Sequence, residues 1–190
     1  RDFCLSRGLG DVYKRQFLYW KLRPRKASQA KSATLSFLKG RSADEMLDVA
    51  RAFFRDEYLP RFYQDGLTEL WSLRSQGMKL VVVSASPDVY MRALPEFMPL
   101  DAVLSTRCEV GGDGRYTGQV GENCKGEEKV RRIKQYLKEN GFVLDMKCSS
   151  AYGDSPSDAD MMALVNRAVL VNPKKALLRR RPDGIVVHWT

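Results

Sequence analysis

Residues 151–160 read AYGDSPSDAD and set two carboxylates, Asp154 and Asp158, four positions apart, between an apolar approach and a helical run that opens at Met161. The pattern predicts a strand over residues 148–152 with Asp154 at its end. A helix follows, capped by Ser157, with Asp158 in its first turn. Both carboxylates then face one small volume. Carboxylate oxygens at the carboxyl end of a strand suit a divalent cation such as Mg²⁺, whose shell a substrate phosphate can complete. The same residues also support a plainer reading: a strand, a polar turn and an N-capped helix, with the acids set against the helix dipole.

Two further groups have the right chemistry for an anion. Residues 80–83 are uninterrupted and rich in valine, as in a strand buried on both faces of a parallel sheet, and Ser84 ends the run. Pro87 suits the first position of a helix through Met91 and Leu94. A serine at such a strand end, beside the N–H groups of the next turn and a helix N-terminus, can hold phosphoryl oxygens. Standing alone, it reads as a helix cap. Residues 126–137 form a basic helix with Val130, Ile133 and Leu137 on its buried face. Lys125 precedes that helix and Lys129 lies within it, and either is open to a reading as solvated surface.

The elements that must position these groups alternate. Ser42 and Glu45 have capping-box spacing, and Met46, Val49, Ala50, Phe53 and Phe54 share one face at helical period. Pro60 ends that helix, and a second one carrying Leu67, Leu70 and Trp71 runs to Gly77, a natural stop. Residues 101–106 give a strand, and residues 108–120, with a Gly-Gly-Asp-Gly centre, give a hairpin. After Asp154, strands at 168–171 and 185–188 flank a helix at 174–181. Strands alternating with helices imply an α/β fold with a mainly parallel sheet. The chain divides into a helical cap over residues 17–77 and an α/β core over residues 78–190.

Composition removes several classes of function. The chain has 190 residues, 44% hydrophobic and 29% charged, enough for one sizeable core with a small appendage. No apolar run approaches a membrane span and no stretch has signal-peptide layout, so the expected location is cytoplasmic. Four cysteines without a CxxC pair, and one histidine, His188, argue against zinc, a disulfide framework and histidine-based catalysis. The net charge of +9 raises nucleic-acid binding as an alternative. The excess is spread over two clusters, residues 21–31 and 174–181, without the interleaved aromatics of a single-strand platform, so no specific nucleic-acid partner is expected. Solvated faces, or attraction of anionic substrates, account for the charge.

Residues 1–16 show no periodicity, and DVYKRQ at 11–16 matches one reading frame of a transposon end used in sequencing libraries. That segment is expected to be non-native, with the natural N-terminus lost.

With the pieces in order, residues 17–173 resemble the haloacid dehalogenase superfamily, in its phosphoserine-phosphatase-like branch. VVVSASP matches the strand whose serine binds phosphate, GRYTG with NCKGEEKVRRI matches the lysine segment, and GDSPSD matches the acidic metal motif. The resemblance implies a Rossmann-like sheet and a Mg²⁺-dependent phosphomonoesterase of small phosphorylated metabolites that works through an aspartyl phosphate. Asp154 would bind Mg²⁺, and Asp158 would bind it or hold its water and the lysine. Ser84 and the Ala85 backbone would cradle the phosphoryl group, and Lys129, aligned through the apolar positions behind it, would balance charge in preference to Lys125. The family's opening DxDxT strand, source of the nucleophile and the general acid, is not found in the sequence, and its place is the middle of the sheet. A lipid phosphate is an alternative substrate, motivated by the basic and aromatic residues 17–31, as is a non-catalytic phosphate- or nucleic-acid-binding module.

Overall fold

Ser42 starts the first helix as its spacing predicts. In the computed structural model, which describes residues 35–190, its Oγ accepts the Glu45 N–H at 3.5 Å and α1 (Ala43–Phe53) begins. Ala43, Ala50 and the following Phe54 are buried. Val49, expected on that face, is 58% exposed, because it lies about 120° round the helix from their line. Pro60 does not end the helix. The α-helical bonding stops at Phe53 and the path continues as a π turn (Phe54–Tyr58) and a 3₁₀ turn (Leu59–Arg61). Pro60 stands in that last turn's first positions, where a missing N–H breaks no helical bond. Helix α2 (Gln64–Ser75) follows and Gly77, at φ +77°, closes it. α2 buries none of its residues fully, and Trp71 is 57% exposed.

Strand β1 (Val81–Pro87) pairs in parallel with β2 (Ala102–Thr106), with α3 (Asp88–Met91) between them. Residues 81–83 are half-buried, not buried on both faces as expected. β3 (Cys108–Val110) and β4 (Tyr116–Val120) form the predicted antiparallel hairpin, its turn closed by the Gly111 N–H on the Arg115 carbonyl at 2.8 Å. Helix α4 (Glu127–Glu139) leads to β5 (Ser150–Gly153), α5 (Ala159–Met162), β6 (Arg167–Val171), α6 (Lys175–Arg180) and β7 (Ile185–Val187). β5, β6 and β7 pair in parallel in that order. The fold is therefore α/β and mainly parallel, in two parallel strand groups beside the antiparallel hairpin. Among the described residues, β1 pairs with β2 alone and β5 with β6 alone.

Three apolar clusters hold these parts. Ala151, Met162, Leu170 and Leu177 join α5 and α6 to β5 and β6. Leu38, Val89, Cys108 and Tyr116 seat the hairpin on α3. Phe54, Met91 and Leu94, with Val82 and Val103 against them, join the first helical segment to β1 and β2. α2 bridges the strand groups by polar contacts: Arg74 meets Asp101 at 2.9 Å, next to β2, and at the other end the Thr190 N–H meets the Asp65 carboxylate at 2.8 Å. Glu69 of α2 also takes the hydroxyl of Tyr152, on β5. The basic stretch at 17–31 and the suspected non-native segment lie outside the described residues. Among the described residues no helix is long and apolar enough to cross a membrane.

Candidate active site

The acidic loop leaves β5 at Gly153, and Asp154 follows with its side chain 55% exposed. Ser155, not Ser157, opens the helical turn. The chain stays extended through Ser155 (φ −120°, ψ 154°), Pro156 takes the first position of a 3₁₀ turn (Pro156–Asp158), and α5 continues it. Ser155 then reaches Asp158 in a Ser-x-x-Asp box: its N–H and its hydroxyl donate to Asp158 Oδ2 at 3.0 and 2.9 Å. Ser157 instead meets the Ser155 hydroxyl at 2.6 Å. Asp158 folds back over Gly153 so closely that a Cβ there would stand 2.7 Å from the Asp158 Cβ. Any side chain at 153 would push the carboxylate away.

Lys129 meets that carboxylate from the other strand group. Gly126, at φ +59° and ψ −128°, turns the chain into α4, so Lys129 lies in the first turn, and its own N–H closes on the Gly126 carbonyl at 3.0 Å. Its Nζ donates to Asp158 Oδ1 at 2.6 Å and to the Val83 carbonyl at 2.8 Å, with both side chains of the ion pair 8% exposed. The residues α4 buries are thus Glu128 and Lys129, while Val130, Ile133 and Leu137 are half-buried. The first turn enters a place lined by a carbonyl and a carboxylate, and there charge is what finds partners. Glu128 takes Arg131 and Arg132, whose guanidinium groups hold its carboxyl below the usual range. Arg132 reaches on to the carbonyls of Ser105 and Glu122, tying α4 to the end of β2. Lys125 is exposed.

Ser84 lies next to the carbonyl that Lys129 holds. Its hydroxyl accepts the Ser86 N–H at 3.1 Å and keeps its own hydrogen to donate. The Ala85 carbonyl accepts from Thr106 Oγ1 at 2.8 Å, and that fully buried oxygen accepts the Cys124 N–H at 3.1 Å. The helix expected to begin at Pro87 begins one residue later and lasts one turn. β1 instead resumes pairing past a bulge, with Pro87 opposite Thr106, and Pro87 is extended (φ −65°, ψ 142°). A helix dipole is therefore not what Ser84 offers an anion; the hydroxyl and the fixed turn are. Asp88 turns its carboxylate to the Cys108 N–H at 2.8 Å, and burial pushes its pKa up.

The structure brings Ser84, Lys129 and Asp158 to one end of β1 and β5, with Asp154 at the rim. Sequence reasoning missed the supports on the far side. Lys174 Nζ is 3.0 Å from Asp154 Oδ2, and Arg180 donates to the Pro156 carbonyl at 2.8 Å and pairs with Asp160 at 2.7 Å. Three of the five basic residues at 174–181 are thereby paired with carboxylates, since Arg181 also pairs with Asp183. Among the described residues no group of three or more His, Cys, Asp or Glu side chains is placed to cage a metal. Mg²⁺ needs no such cage, because one or two carboxylates, waters and a substrate phosphate satisfy it. Asp154, at the strand end and open to solvent, fits that donor set. Both oxygens of Asp158 are already engaged, which fits a holding role.

A sequence model of the haloacid dehalogenase-like hydrolase family matches residues 4–163, a range that begins inside the segment taken above as non-native. Protein CicA of Caulobacter vibrioides is 31% identical over 137 residues, covering 71% of this chain and 59% of CicA. A histidinol-phosphatase of Neisseria meningitidis is 28% identical over 138 residues, covering 72% of this chain and 62% of that one. The chain thus spans about three fifths of the length of these relatives. In fold, it superposes on a Bordetella pertussis protein of unknown function with TM-score 0.81 at 24% identity, over 95% of this chain and 84% of that one. A probable phosphoserine phosphatase from Vibrio cholerae superposes with TM-score 0.66 at 19% identity, over 95% and 52%. With most of its length under the family's sequence model and the fold shared with such structures, the chain belongs to the haloacid dehalogenase-like hydrolases.

Proposed function

We propose that this chain carries the phosphate-handling half of a Mg²⁺-dependent phosphomonoesterase for small phosphorylated metabolites, of the kind that passes through an aspartyl phosphate. The observation that supports it most is the buried Lys129, held between the Val83 carbonyl and Asp158 beside Ser84. A buried lysine with one hydrogen still to give is poorly explained by stability alone, since a buried ion pair contributes little net. It is well explained as a fixed positive charge for a transferring phosphoryl group.

In this reading the Ser84 hydroxyl donates to one phosphoryl oxygen, and the turn at Ala85, braced by Thr106, presents the backbone beside it. Lys129 donates to a second oxygen while Asp158 and Val83 keep its ammonium in place. Asp154 binds Mg²⁺, which when present neutralises phosphate charge. Phosphate-monoester hydrolysis is slow enough uncatalysed that enhancements reach about 10²¹, and that work is divided among such groups. The nucleophile is an aspartate of a DxDxT strand. Internal pairing of Lys174, Arg180 and Arg181 speaks against the second basic cluster as a nucleic-acid surface.

The test is Mg²⁺-dependent release of phosphate from p-nitrophenyl phosphate by a version of the protein that includes the DxDxT strand. Asp154→Asn is expected to lower it at least a hundredfold, roughly 2.7 kcal/mol of barrier. Activity equal to the unmodified protein at ordinary Mg²⁺ would remove Asp154 from the site.

A further inference from the structure

We propose that Lys174 is a resident counter-cation on Asp154 which a divalent metal must displace, and so sets the affinity of the site for metal. The inference rests on the reading of Asp154 as the metal ligand. Two contacts tie the residues together: Lys174 Nζ lies 3.0 Å from Asp154 Oδ2, and the Lys174 N–H donates to the Asp154 carbonyl at 2.9 Å. The second contact is between backbones, so it keeps Lys174 next to Asp154 whether or not the ammonium is engaged. The loop that delivers it is also fixed. Asn172 adopts φ +43°, with its N–H on the Val187 carbonyl at 2.9 Å and its Nδ2 on the Trp189 carbonyl at 3.1 Å, and this turn sends the chain from β6 back across the end of β5.

The two lysine–aspartate pairs of the site differ in a way that suits different tasks. Lys129 and Asp158 are buried and braced, a fixed arrangement. Lys174 is 65% exposed and Asp154 55%, so their pair lies in water, where a compact ammonium on a flexible stem leaves at little cost. A doubly charged ion at the same carboxylate outcompetes it and also repels it. Metal binding therefore loses the ion pair and meets a neighbouring positive charge, while the unloaded site is spared a bare carboxylate. Lys175, next in sequence, is exposed and is not the lysine that Asp154 pairs with, which makes it the control for general charge.

The experiment is calorimetric titration of residues 1–190 with Mg²⁺ alone, without substrate. Lys174→Met keeps the length and apolar stem and removes the charge; it is expected to bind Mg²⁺ about two- to fivefold more tightly, the factor matching an exposed ion pair. Lys174→Arg should stay near the unmodified affinity, and so should Lys175→Met. Thermal melts confirm that each variant folds. A Lys174→Met protein that binds Mg²⁺ no tighter, including the case in which neither protein binds it, overturns the proposal, as does an equal gain from Lys175→Met. Asp154→Asn in the same titration separates the two readings. If it abolishes binding while Lys174→Met changes nothing, the counter-cation fails and the metal ligand stands; if it leaves binding intact, both fail.

Discussion

At the scale of single residues, the proposal of Lys129 over Lys125 as the phosphate-contacting lysine rests on what each side chain can reach. Lys129 enters the site in the first turn of α4 and Lys125 is outside it, exposed to water. Lys129→Ala leaves Asp158 buried without its cation, although Ser155 still donates to the other oxygen. Removing one partner of a buried pair costs about 3 kcal/mol, so melting should fall by roughly 6–12 °C, while Lys125→Ala should leave it unchanged within a degree or two. Phosphate release should follow the same order. A combined Lys129→Met, Asp158→Leu protein is the sharper case, because apolar groups can replace a buried pair without loss of stability. It should recover much of the melting temperature and none of the activity; recovery of both would make the pair structural. Gly153 shows why part of this was not legible. GDSPSD displays its carboxylates, but that the glycine is the surface on which Asp158 lies appears only when the loop has folded back.

At the scale of elements, periodicity located most strands and helices, and it failed where the chain's partners decided the outcome. β1 runs past Ser84 because β2 offers a bulged register beyond it, and no local signal at Ala85 or Ser86 announces that. Val130, Ile133 and Leu137 mark the amphipathic face of α4, yet the residues it buries are Glu128 and Lys129, because their partners come from other elements or from arginines one turn on. Lys174 and Arg180, which brace the acidic loop from the N-cap and the last turn of α6, were legible as charge but not as contacts. The anchoring of α4 can be tested through pH. Glu128 is held below the ordinary glutamate value of 4.5 by Arg131 first and Arg132 with it, against the opposing effect of burial. A carboxyl with a lowered folded pKa stabilises fully above its unfolded value and loses that contribution as pH falls through the folded one. Glu128→Gln should therefore melt below the unmodified protein by a constant margin from pH 7 to about pH 4.5, and the margin should close as acid titrates the wild-type carboxylate. A margin that persists unchanged to pH 3 would show that the Arg131 and Arg132 bonds do not depend on the charge.

At the scale of the molecule, the site is shared between two strand groups that no described strand joins. Ser84 belongs to the group of β1 and β2, and Asp154 and Asp158 to the group of β5, β6 and β7; Lys129 and α2 cross between them by hydrogen bonds and ion pairs. Among the described residues, one edge of β1 and one of β5 therefore present backbone groups without a ladder partner, and such edges are templates for association. A DxDxT strand, apolar before its first aspartate, would satisfy both edges and bring a carboxylate to the phosphate site. One element would then supply cohesion and chemistry together. The test is to compare residues 1–190 with a version that carries such a strand upstream, by solubility, thermal melting and Mg²⁺-dependent phosphate release. The extended protein should be the more soluble and melt higher, and it should turn over faster by on the order of 10⁶, about 8 kcal/mol of barrier, the scale on which losing a covalent nucleophile acts. Equal turnover would place the nucleophile within residues 1–190 and assign the cohesion of the two strand groups to contacts already present, with Lys129 and α2 as the link.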